Sequence, residues 1–413
     1  MRLPRLLLSL TPMLAAARGA DAPHPWPAAP QFLPLTVDRI AALPPADQPA
    51  WRAYLERSQQ VAAALPKREA FVTPSTQKLE GAGIPGKHSR GLQLNAAKDW
   101  YATEAAQTIA DRVVAYQSKA GGWTKGNDYT KPVAPKAGEA DVWSGGTLDN
   151  DATTWELRFL ALAATAAADA ARAAAWRESF ARGLRYVMAA QYPHGGVPQI
   201  YPLAGGYHDA ITFNDDAMVQ ALELMRDIGD GRPEFAFVPA DLRAECAPRV
   251  ARGVRCILAT QLKDAAGRPT VWCQQHDALT LQACAARNFE PVAACTNESA
   301  ALLRFLMTLP RPPAEVRAAI RGAAAWLERT QLSGVAWTRQ GGVGSLIERA
   351  GAPPLWARMY EIGTNKPVFG DRDRTVHYAV AELSSERRNG YAWYGTWPAR
   401  ALEEFKAWSA KHP

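Results

Sequence analysis

Apolar residues recur at helical spacing along most of this chain beyond residue 96. Runs with a period near 3.6 residues predict helices over 97–118, 152–168, 171–191, 215–229, 240–262, 298–309 and 312–331. Alternation with a period of two, which would indicate strands, is scarce. The long connections between the predicted helices hold most of the Trp, Gly, His and Arg residues. This distribution is typical of a helical scaffold that carries its function on its loops.

A glutamine ends an apolar helical run at four places, with spacings of 74, 70 and 70 residues: Gln117, Gln191, Gln261 and Gln331. An acidic motif recurs in step with it, as T-L-D-N-D-A from Thr147, T-F-N-D-D-A from Thr212 and, more loosely, C-T-N-E-S-A from Cys295. A period of about 70 residues accommodates two helices and two loops. We therefore predict an all-α toroid of paired helices, with three repeats and a terminal portion, whose equivalent loops share one face.

The N-terminal residues predict export. A charged start, M-R-L-P-R, precedes a short apolar run that ends with small residues at 15–17, which is typical of a signal peptide over residues 1–20. We expect a secreted or periplasmic protein without a membrane span, since no stretch approaches about 20 apolar residues. Residues 21–95 are interpreted as an N-terminal extension with one helix, and residues 96–413 as the main domain.

Composition limits the choice of partner. Of 413 residues 48% are apolar, which suffices for a large core, and the net charge of +7 favours an anionic partner. We expect no nucleic-acid partner, because the sequence has no run of five Lys or Arg and no nucleic-acid motif. The five cysteines suit an oxidising compartment, and their odd number leaves at least one without a partner in the chain.

The acidic blocks form the first candidate site. Residues 149–151 and 214–216 stand at predicted helix starts, where Asp and Asn side chains commonly cap free backbone N–H groups. Capping would account for about one residue in each block. Oxygen ligands from two loops also suit Ca²⁺, with carbonyls, water or a substrate carboxylate completing its shell. On the pattern alone, both interpretations are open.

Cationic side chains form a second candidate set. Arg287 lies in the segment C-A-A-R-N-F-E, with Glu290 as a possible ion-pair partner. Arg358 and Arg372 belong to an arginine-rich stretch near the C-terminus, and Lys125 ends the turn G-G-W-T-K. Guanidinium groups recognise carboxylates through paired hydrogen bonds, although a surface ion-pair network would have the same composition.

Several blocks of this chain resemble pectate lyases of polysaccharide lyase family 10. They are GGWTK at 121–125, TLDNDAT at 147–153, QYPHGGVPQIYP at 191–202, GYHDAITFNDDAM at 206–218, WCQQHD at 272–277, RNFEP at 287–291 and a stretch over 357–397. Together they span about residues 95–400 in the order of the family. The chain departs from the pattern at Ala285, where an aromatic is expected, and at Val197, where Trp is common.

The resemblance implies an (α/α)₃ toroid that cleaves polygalacturonate, the backbone of pectin, by calcium-assisted β-elimination. A monomer is expected. Carried over by motif, the base would be Arg287, the groups at the metal Asp149, Asn150 and Asp215, and the groups holding substrate carboxylates Lys125, Arg358 and Arg372. Because free guanidinium loses its proton only above about pH 12, an arginine base needs a desolvated, cation-rich setting. We therefore predict an alkaline activity optimum.

Three other functions are alternatives to elimination. A glycoside hydrolase on a similar toroid would use a carboxylate pair from among Asp149, Asp151, Asp215 and Asp277. A non-catalytic protein that binds anionic glycans would retain pectin without changing its absorbance. Elimination alone produces a 4,5-unsaturated end that absorbs in the ultraviolet. A terpene cyclase is disfavoured because no D-D-x-x-D motif occurs where one is needed.

Overall fold

The computed structural model describes residues 32–65, 88–131 and 145–412, together with the backbone of His24–Pro25. About half of these residues are helical and few form strands, which confirms a predominantly helical fold. The α-helices of the described part are α1 Val37–Ala41, α2 Gln48–Ala63, α3 Glu104–Ala115, α4 Thr154–Ala166, α5 Ala170–Ala190, α6 Ala217–Gly229, α7 Ala240–Thr260, α8 Thr296–Met307, α9 Ala314–Arg329, α10 Ser385–Gly390 and α11 Trp397–Lys411. Among them, none has the length and apolar character needed to cross a membrane.

Each predicted helical segment of the main domain overlaps an observed helix, α3 to α9 in order. The largest difference is at the start of α3, which was expected near residue 97. Residues Lys98–Ala102 form a 3₁₀ turn instead, and Thr103 then caps α3 by accepting a hydrogen bond from the backbone N–H of Ala106 at 3.4 Å. The N-cap hydroxyl therefore fixes the helix start, as Ser and Thr commonly do.

The helices pack as successive pairs. Helix α4 packs against α5, α6 against α7, and α8 against α9 and α11. Helix α4 also contacts α6, and α6 contacts α8. The three helices that follow the acidic blocks therefore form one row. The members that end at the recurring glutamines, α3, α5, α7 and α9, flank this row, so the predicted repeat of helix pairs is present.

The recurring glutamines connect consecutive flanking helices. The side-chain amide of each of the first three donates one hydrogen bond to a carbonyl of its own turn and one to a carbonyl of the next flanking helix. The two acceptors are Gly121 and Ser179 for Gln117, Gly195 and Arg249 for Gln191, and Thr270 and Ala319 for Gln261, at 2.8–3.0 Å. Gln331, after α9, donates to the hydroxyl of Ser333 in its own turn at 3.3 Å. The first three recurring glutamines thus link consecutive flanking helices, and we call these links the glutamine joints.

Strands in the described part are short and antiparallel. They are β1 His24–Pro25, β2 Ile211–Thr212, β3 Gln275–His276, β4 Ala283–Cys284, β5 Ala294–Cys295, β6 Val335–Gln340, β7 Val343–Glu348, β8 Trp356–Ala357, β9 Met359–Tyr360, β10 Phe369–Gly370, β11 Thr375–His377 and β12 Tyr394–Gly395. The longest pair, β6 and β7, is a hairpin that was not predicted from the sequence. Gly341 and Gly342 form its turn with φ of 57° and 82°, values that glycine adopts readily.

The described N-terminal residues pack on the helical body. Trp51 and Tyr54 of α2 lie against the ring of Tyr192, with centroid distances of 5.3 Å and 4.8 Å. The hydroxyl of Tyr54 donates to the carbonyl of Ala190, at the end of α5, at 3.0 Å. Residues 32–65 therefore share a core with the main domain. The predicted signal peptide, residues 1–20, lies outside the described residues.

The five cysteines all lie in the described part, as buried free thiols: Cys246, Cys256, Cys273, Cys284 and Cys295. Burial raises the pKa of Cys246 to about 11 and that of Cys256 to about 12. These two thiols are thereby kept in the protonated form, which is the unreactive one.

Candidate active site

The two acidic blocks form matching turns. Asp149–Asp151 and Asn214–Asp216 are short 3₁₀ turns that pack against each other at the starts of α4 and α6. Both turns contain left-handed residues at equivalent positions, with φ of 51° and 49° at Asn150 and Asp215. Asn and Asp tolerate this conformation best, and such strain of about 1–3 kcal/mol per residue is concentrated at functional sites.

The acidic side chains do not cap the helices, contrary to one expectation from the sequence. The N-cap residues of α4 and α6 are Thr153 and Asp216, and neither side chain accepts a capping hydrogen bond. The left-handed backbone turns the blocks away from the helix ends. Asp149 and Asn214 are instead buried, at 1% and 8% exposure, where they bind other side chains.

Lys125 binds the first turn. Its ammonium forms a close ion pair with Oδ2 of Asp149, from the Gly-Gly turn that follows α3. Burial raises the pKa of Asp149, but the charge and the hydrogen bond of Lys125, together with neighbouring polar side chains, outweigh burial and hold that pKa below its ordinary value. The second oxygen, Oδ1, is buried and accepts no hydrogen bond from the described residues. Asp149 is therefore an ionised carboxylate with one oxygen still available.

Asn214 connects the second turn to the C-terminal arginines. Its Oδ1 accepts hydrogen bonds from Gln274 Nε2 at 2.7 Å and from Arg358 Nη2 at 3.1 Å. Its amide donates to Asp215 Oδ2 at 2.8 Å. Arg358 also pairs with the fully buried Glu298 at 2.5 Å. Burial lowers the pKa of Arg358, but Glu298, Tyr391 and Asp215 together outweigh burial and raise the pKa, so a buried cation is fixed beside Asp215.

Arg287 forms a two-point ion pair with Glu290, the partner anticipated from the sequence. Its Nε donates to Glu290 Oε2 at 2.8 Å, and its Nη2 donates to Oε1. Partial burial lowers the pKa of Arg287, but the charge and the hydrogen bond of Glu290, together with the neighbouring tyrosine hydroxyls, outweigh burial and hold the pKa well above the ordinary range. The expectation that its surroundings lower its pKa is therefore wrong for this structure, because the nearest charge is negative.

Three guanidinium groups surround the ring of Phe289, and we call them the arginine cluster. Their central carbons lie 4.2–5.4 Å from the ring centroid: Arg287, Arg372 and Arg387. Arg372 and Arg387 share the carboxylate of Glu386, to which their Nε atoms donate at 2.8 Å and 2.7 Å. Arg372 is 57% exposed, so the cluster presents positive charge to solvent.

Tyr391, Tyr207 and His208 lie between the acidic turns and the arginine cluster. Tyr391 donates to Glu290 Oε1 at 2.9 Å, and its ring lies 5.0 Å from the Arg358 guanidinium. Burial raises the pKa of Tyr207, and the charges of the acidic turns and of the Arg287–Glu290 pair also act on this pKa. Burial lowers the pKa of His208 to about 3, which keeps that imidazole neutral.

All seven residues singled out from the sequence thus belong to one set of neighbouring groups. Hydrogen bonds or ion pairs join Lys125 to Asp149, and Arg358 through Asn214 to Asp215. Asn150 lies beside Asp149 and is 7% exposed. The remaining two, Arg287 and Arg372, share the ring of Phe289.

The sequence assigned no individual role in the site to the connecting residues Asn214, Gln274, Glu298 and Tyr391. The repeat contained a signal for Asn214, because it occupies the position that Asp149 holds in the first acidic block. Glu298 similarly belongs to the third, looser block. We find no sequence signal for Tyr391, which reaches the site from the far end of the chain.

A calcium site is compatible with the acidic turns but is not complete in protein ligands. Among the described residues, no group of three or more His, Cys, Asp or Glu side chains is arranged to hold a metal ion. The carboxyl groups of Asp149 and Asp215 do interact, and Asp149 keeps a buried oxygen available. Two carboxylates with a neighbouring amide fit a hard cation that takes further oxygens from water or substrate.

Comparisons with known proteins agree on one family. Residues 117–402 match the family model for pectic acid lyase. A mutant of the family 10 polysaccharide lyase from Cellvibrio cellulosa, in complex with trigalacturonic acid, is 33% identical; the match covers 75% of this chain and 95% of that chain, with a TM-score of 0.67. The family 10 polysaccharide lyase from Cellvibrio cellulosa is 32% identical over 78% and 99% of the two chains, with a TM-score of 0.66. No curated protein matches this chain.

Proposed function

This chain belongs to the pectic acid lyase family and is a polysaccharide lyase of family 10, and we propose that it cleaves polygalacturonate by calcium-assisted β-elimination. The observation that carries the proposal is the meeting of two neighbouring carboxylates, the buried Asp149 and the partly exposed Asp215, with cations from three separate parts of the chain. A similar lyase has been solved with trigalacturonic acid, a short form of such a polyanion.

The cations are suited to hold successive sugar carboxylates. Arg358 is 6% exposed and oriented by Glu298, so it offers a fixed guanidinium. Arg372 is 57% exposed and can exchange Glu386 for a substrate carboxylate in a similar paired geometry. Lys125, at 18% exposure, reaches the same site from the first repeat. Together they would orient the polymer and oppose its charge.

Arg287 is proposed as the Brønsted base. Its ion pair with Glu290 engages Nε and Nη2, which leaves Nη1 as the nitrogen to accept the C5 proton. The C5–H bond breaks as Arg287 takes the proton, the electrons of that bond form the C4–C5 double bond, and the C4–O bond breaks to release the other fragment, whose oxygen takes up a proton from solvent water. Arg287 must be neutral to act, so activity should rise with pH.

Asp149, Asp215 and Asn150 are proposed to hold a calcium ion. When bound, the ion would neutralise the carboxylate beside C5 and so favour loss of the C5 proton. Lys125 must then share Asp149 with the metal, since it already contacts Oδ2 of that carboxylate. The available Oδ1 atom offers a direction of approach that does not displace Lys125.

We further propose that the helix pairs close into an (α/α)₃ toroid and that the protein acts as a secreted or periplasmic monomer. The glutamine joints between consecutive flanking helices support the toroid. Export through a signal peptide over residues 1–20 predicts that the mature protein begins beyond this segment. N-terminal sequencing of protein exported by a bacterial host tests whether residues 1–20 are removed on export.

One assay separates this function from its alternatives. Polygalacturonate is incubated with the protein at about pH 7 and about pH 9, with calcium or with EDTA, while ultraviolet absorbance and reducing ends are followed together. We expect absorbance that needs calcium and is greater at the higher pH. Reducing ends without absorbance would indicate a hydrolase. Retention on pectin with neither signal would indicate a binding protein.

A further inference from the structure

A small sheet joins the second acidic turn to the proposed base. Strand β2 ends two residues before Asn214, and β4 ends three residues before Arg287. Between them lies β3, and the three strands pair in the order β2-β3-β4, with Ile211 opposite His276 and Gln275 opposite Cys284. The positions of Asp215 and Arg287 are therefore set by the same three strands.

The turn between β3 and β4 is organised by one buried carboxylate, Asp277. Its Oδ1 accepts hydrogen bonds from the backbone N–H groups of Leu279 and Thr280 at 3.0 Å and 2.8 Å, and from the Thr280 hydroxyl at 3.0 Å. Asp277 is 3% exposed. A buried carboxylate needs a counter-charge as well as hydrogen bonds.

The counter-charge comes from the N-terminal part of the chain. Nη2 of Arg39 lies 2.8 Å from both carboxylate oxygens of Asp277. Nη1 of the same guanidinium donates to the carbonyls of Leu33 and Pro34 at 2.7 Å and 3.1 Å. Arg39 therefore fastens its own segment to the turn, across a separation of 238 residues.

A second contact reaches the same turn independently. Trp51 of α2 lies 5.0 Å from the ring of His194, and Nε2 of that histidine contacts the carbonyl of Ala278. Helix α2 thus supports the turn through His194, while Arg39 holds it directly. Both contacts come from residues 33–55, which precede the region matched by the family model, residues 117–402.

We propose that residues 33–55 act as a strap that positions the proposed base, with Arg39 as its positioning residue. Without Arg39, the turn loses the partner of its central carboxylate, and β4 can shift relative to β2. Arg287 would then move relative to Asp215. A misplacement of about 1 Å at a reacting group can cost about 100-fold in rate. The strap contributes none of the residues proposed to bind the carbohydrate, so substrate affinity should be spared. This inference rests on the proposed function.

The test compares Arg39→Ala with Arg39→Lys and with Arg52→Ala. Arg52 is a matched control, because it is an exposed arginine of α2 that donates to Gln48 of the same helix. We expect kcat of Arg39→Ala to fall about tenfold, with KM and the half-saturating calcium concentration within about twofold. Arg39→Lys should recover part of kcat, since it restores the charge, and Arg52→Ala should match the wild type.

A double-mutant cycle guards against a general loss of folding. Asp277→Asn keeps Oδ1 as an acceptor for the turn but removes the charge pair, so the double variant with Arg39→Ala should be no worse than either single variant. Hydrogen exchange at residues 277–291 should accelerate in Arg39→Ala and not in Arg52→Ala. An unchanged kcat with unchanged exchange would overturn the strap, as would equal losses in kcat, KM and Tm. If the wild type itself forms no unsaturated product, the proposed function fails, while the exchange measurement still decides whether the strap holds the turn.

Discussion

The acidic turns and the arginine cluster are the two charged halves of the site, and they are built differently. The turns have a left-handed backbone and buried oxygens, and the side chain of Asp149 is 2% exposed. The cluster lies around one aromatic ring, and Arg287 and Arg372 are 41% and 57% exposed. The counter-charges of the turns come from distant parts of the chain, whereas those of the cluster, Glu290 and Glu386, lie within 14 residues of their arginines.

This difference suggests different tasks for the two halves. Buried ligands on a fixed backbone are suited to bind a small ion with defined geometry. Exposed arginines with exchangeable partners are suited to a flexible polyanion, because a substrate carboxylate can replace a protein carboxylate without leaving a buried charge unpaired. Variants in each half should therefore affect different measurements.

Removing the base should have the largest effect. Arg287→Ala is expected to lower kcat about 1,000-fold, because proton transfer by a positioned side chain contributes about 10²–10⁴-fold. Calcium binding measured by calorimetry should stay within about twofold, since Arg287 lies in the other half. Arg287→Lys should be nearly as inactive.

The control for Arg287 is Arg268→Ala, another arginine paired with a nearby acid, Asp264, but 75% exposed. It should behave as the wild type. Substantial activity of Arg287→Ala at every pH would show that another group removes the proton.

Removing a metal ligand should have the next largest effect. Asp215→Asn is expected to raise the calcium concentration for half-maximal activity about 100-fold, because ligand charge sets calcium affinity. High calcium should restore much of kcat, which no calcium concentration should do for Arg287→Ala. The exposed Asp230, just after α6, provides the control Asp230→Asn. Equal calcium requirements in both variants would remove Asp215 from the metal site.

The ion pair of Arg287 should set the pH profile. The Glu290 carboxylate raises the pKa of Arg287, so Glu290→Gln should lower that pKa and increase the neutral fraction at any given alkaline pH. We expect the rising limb of the pH–rate profile to move to lower pH. Glu386→Gln, which removes the carboxylate paired with Arg372, should move it less. A limb that stays in place would contradict the assignment of Arg287 as the titrating base.

The smallest effect on catalysis is expected at Glu156, in the first turn of α4. Burial raises the pKa of Glu156 to about 7, and its Oε1 accepts hydrogen bonds from Tyr129 and Ser89 at 2.9 Å. The folded protein keeps this proton up to about pH 7, whereas the unfolded chain releases it near about pH 4.5. The free energy of unfolding should therefore decrease as the pH rises from about 4.5 to about 7 and then level off.

Glu156→Gln removes this titration while keeping the shape. The Tm of Glu156→Gln minus that of the wild type should therefore increase by a few degrees as the pH rises through that window. The kcat of the variant should stay within about twofold of the wild-type value. The exposed Glu403 of α11 supplies the control Glu403→Gln. Parallel stability profiles of the wild type and Glu156→Gln would show that Glu156 is not protonated in the fold.

The helices were predictable because their apolar period extends over many residues. The same holds for the paired acidic blocks, since repetition is visible without a structure. The two-residue strands were not predictable, because alternation needs a longer window. The β6–β7 hairpin did carry a signal, a Gly-Gly pair between alternating residues, which the abundance of helical patterns obscured.

Contacts between distant residues account for most of what the sequence could not predict at the site. The partner of Asp277 is Arg39, far away in the chain, and nothing local to either residue indicates it. The capping expectation failed because the backbone of Asn150 and Asp215 is left-handed, which composition allows but does not require. The high pKa of Arg287 follows from the orientation of Glu290, which sequence proximity alone left open.

The glutamine joints have a consequence for tolerance to mutation. Each joint ends on a main-chain carbonyl, so its hydrogen bond does not depend on which side chain the receiving residue has, and here those residues are a serine, an arginine and an alanine: Ser179, Arg249 and Ala319. This hydrogen bond restricts the chemistry of the donor position alone. Substitutions in the receiving helices that fit the surrounding packing can therefore accumulate without breaking the joints, and one loop can exchange its charges while its neighbours keep theirs.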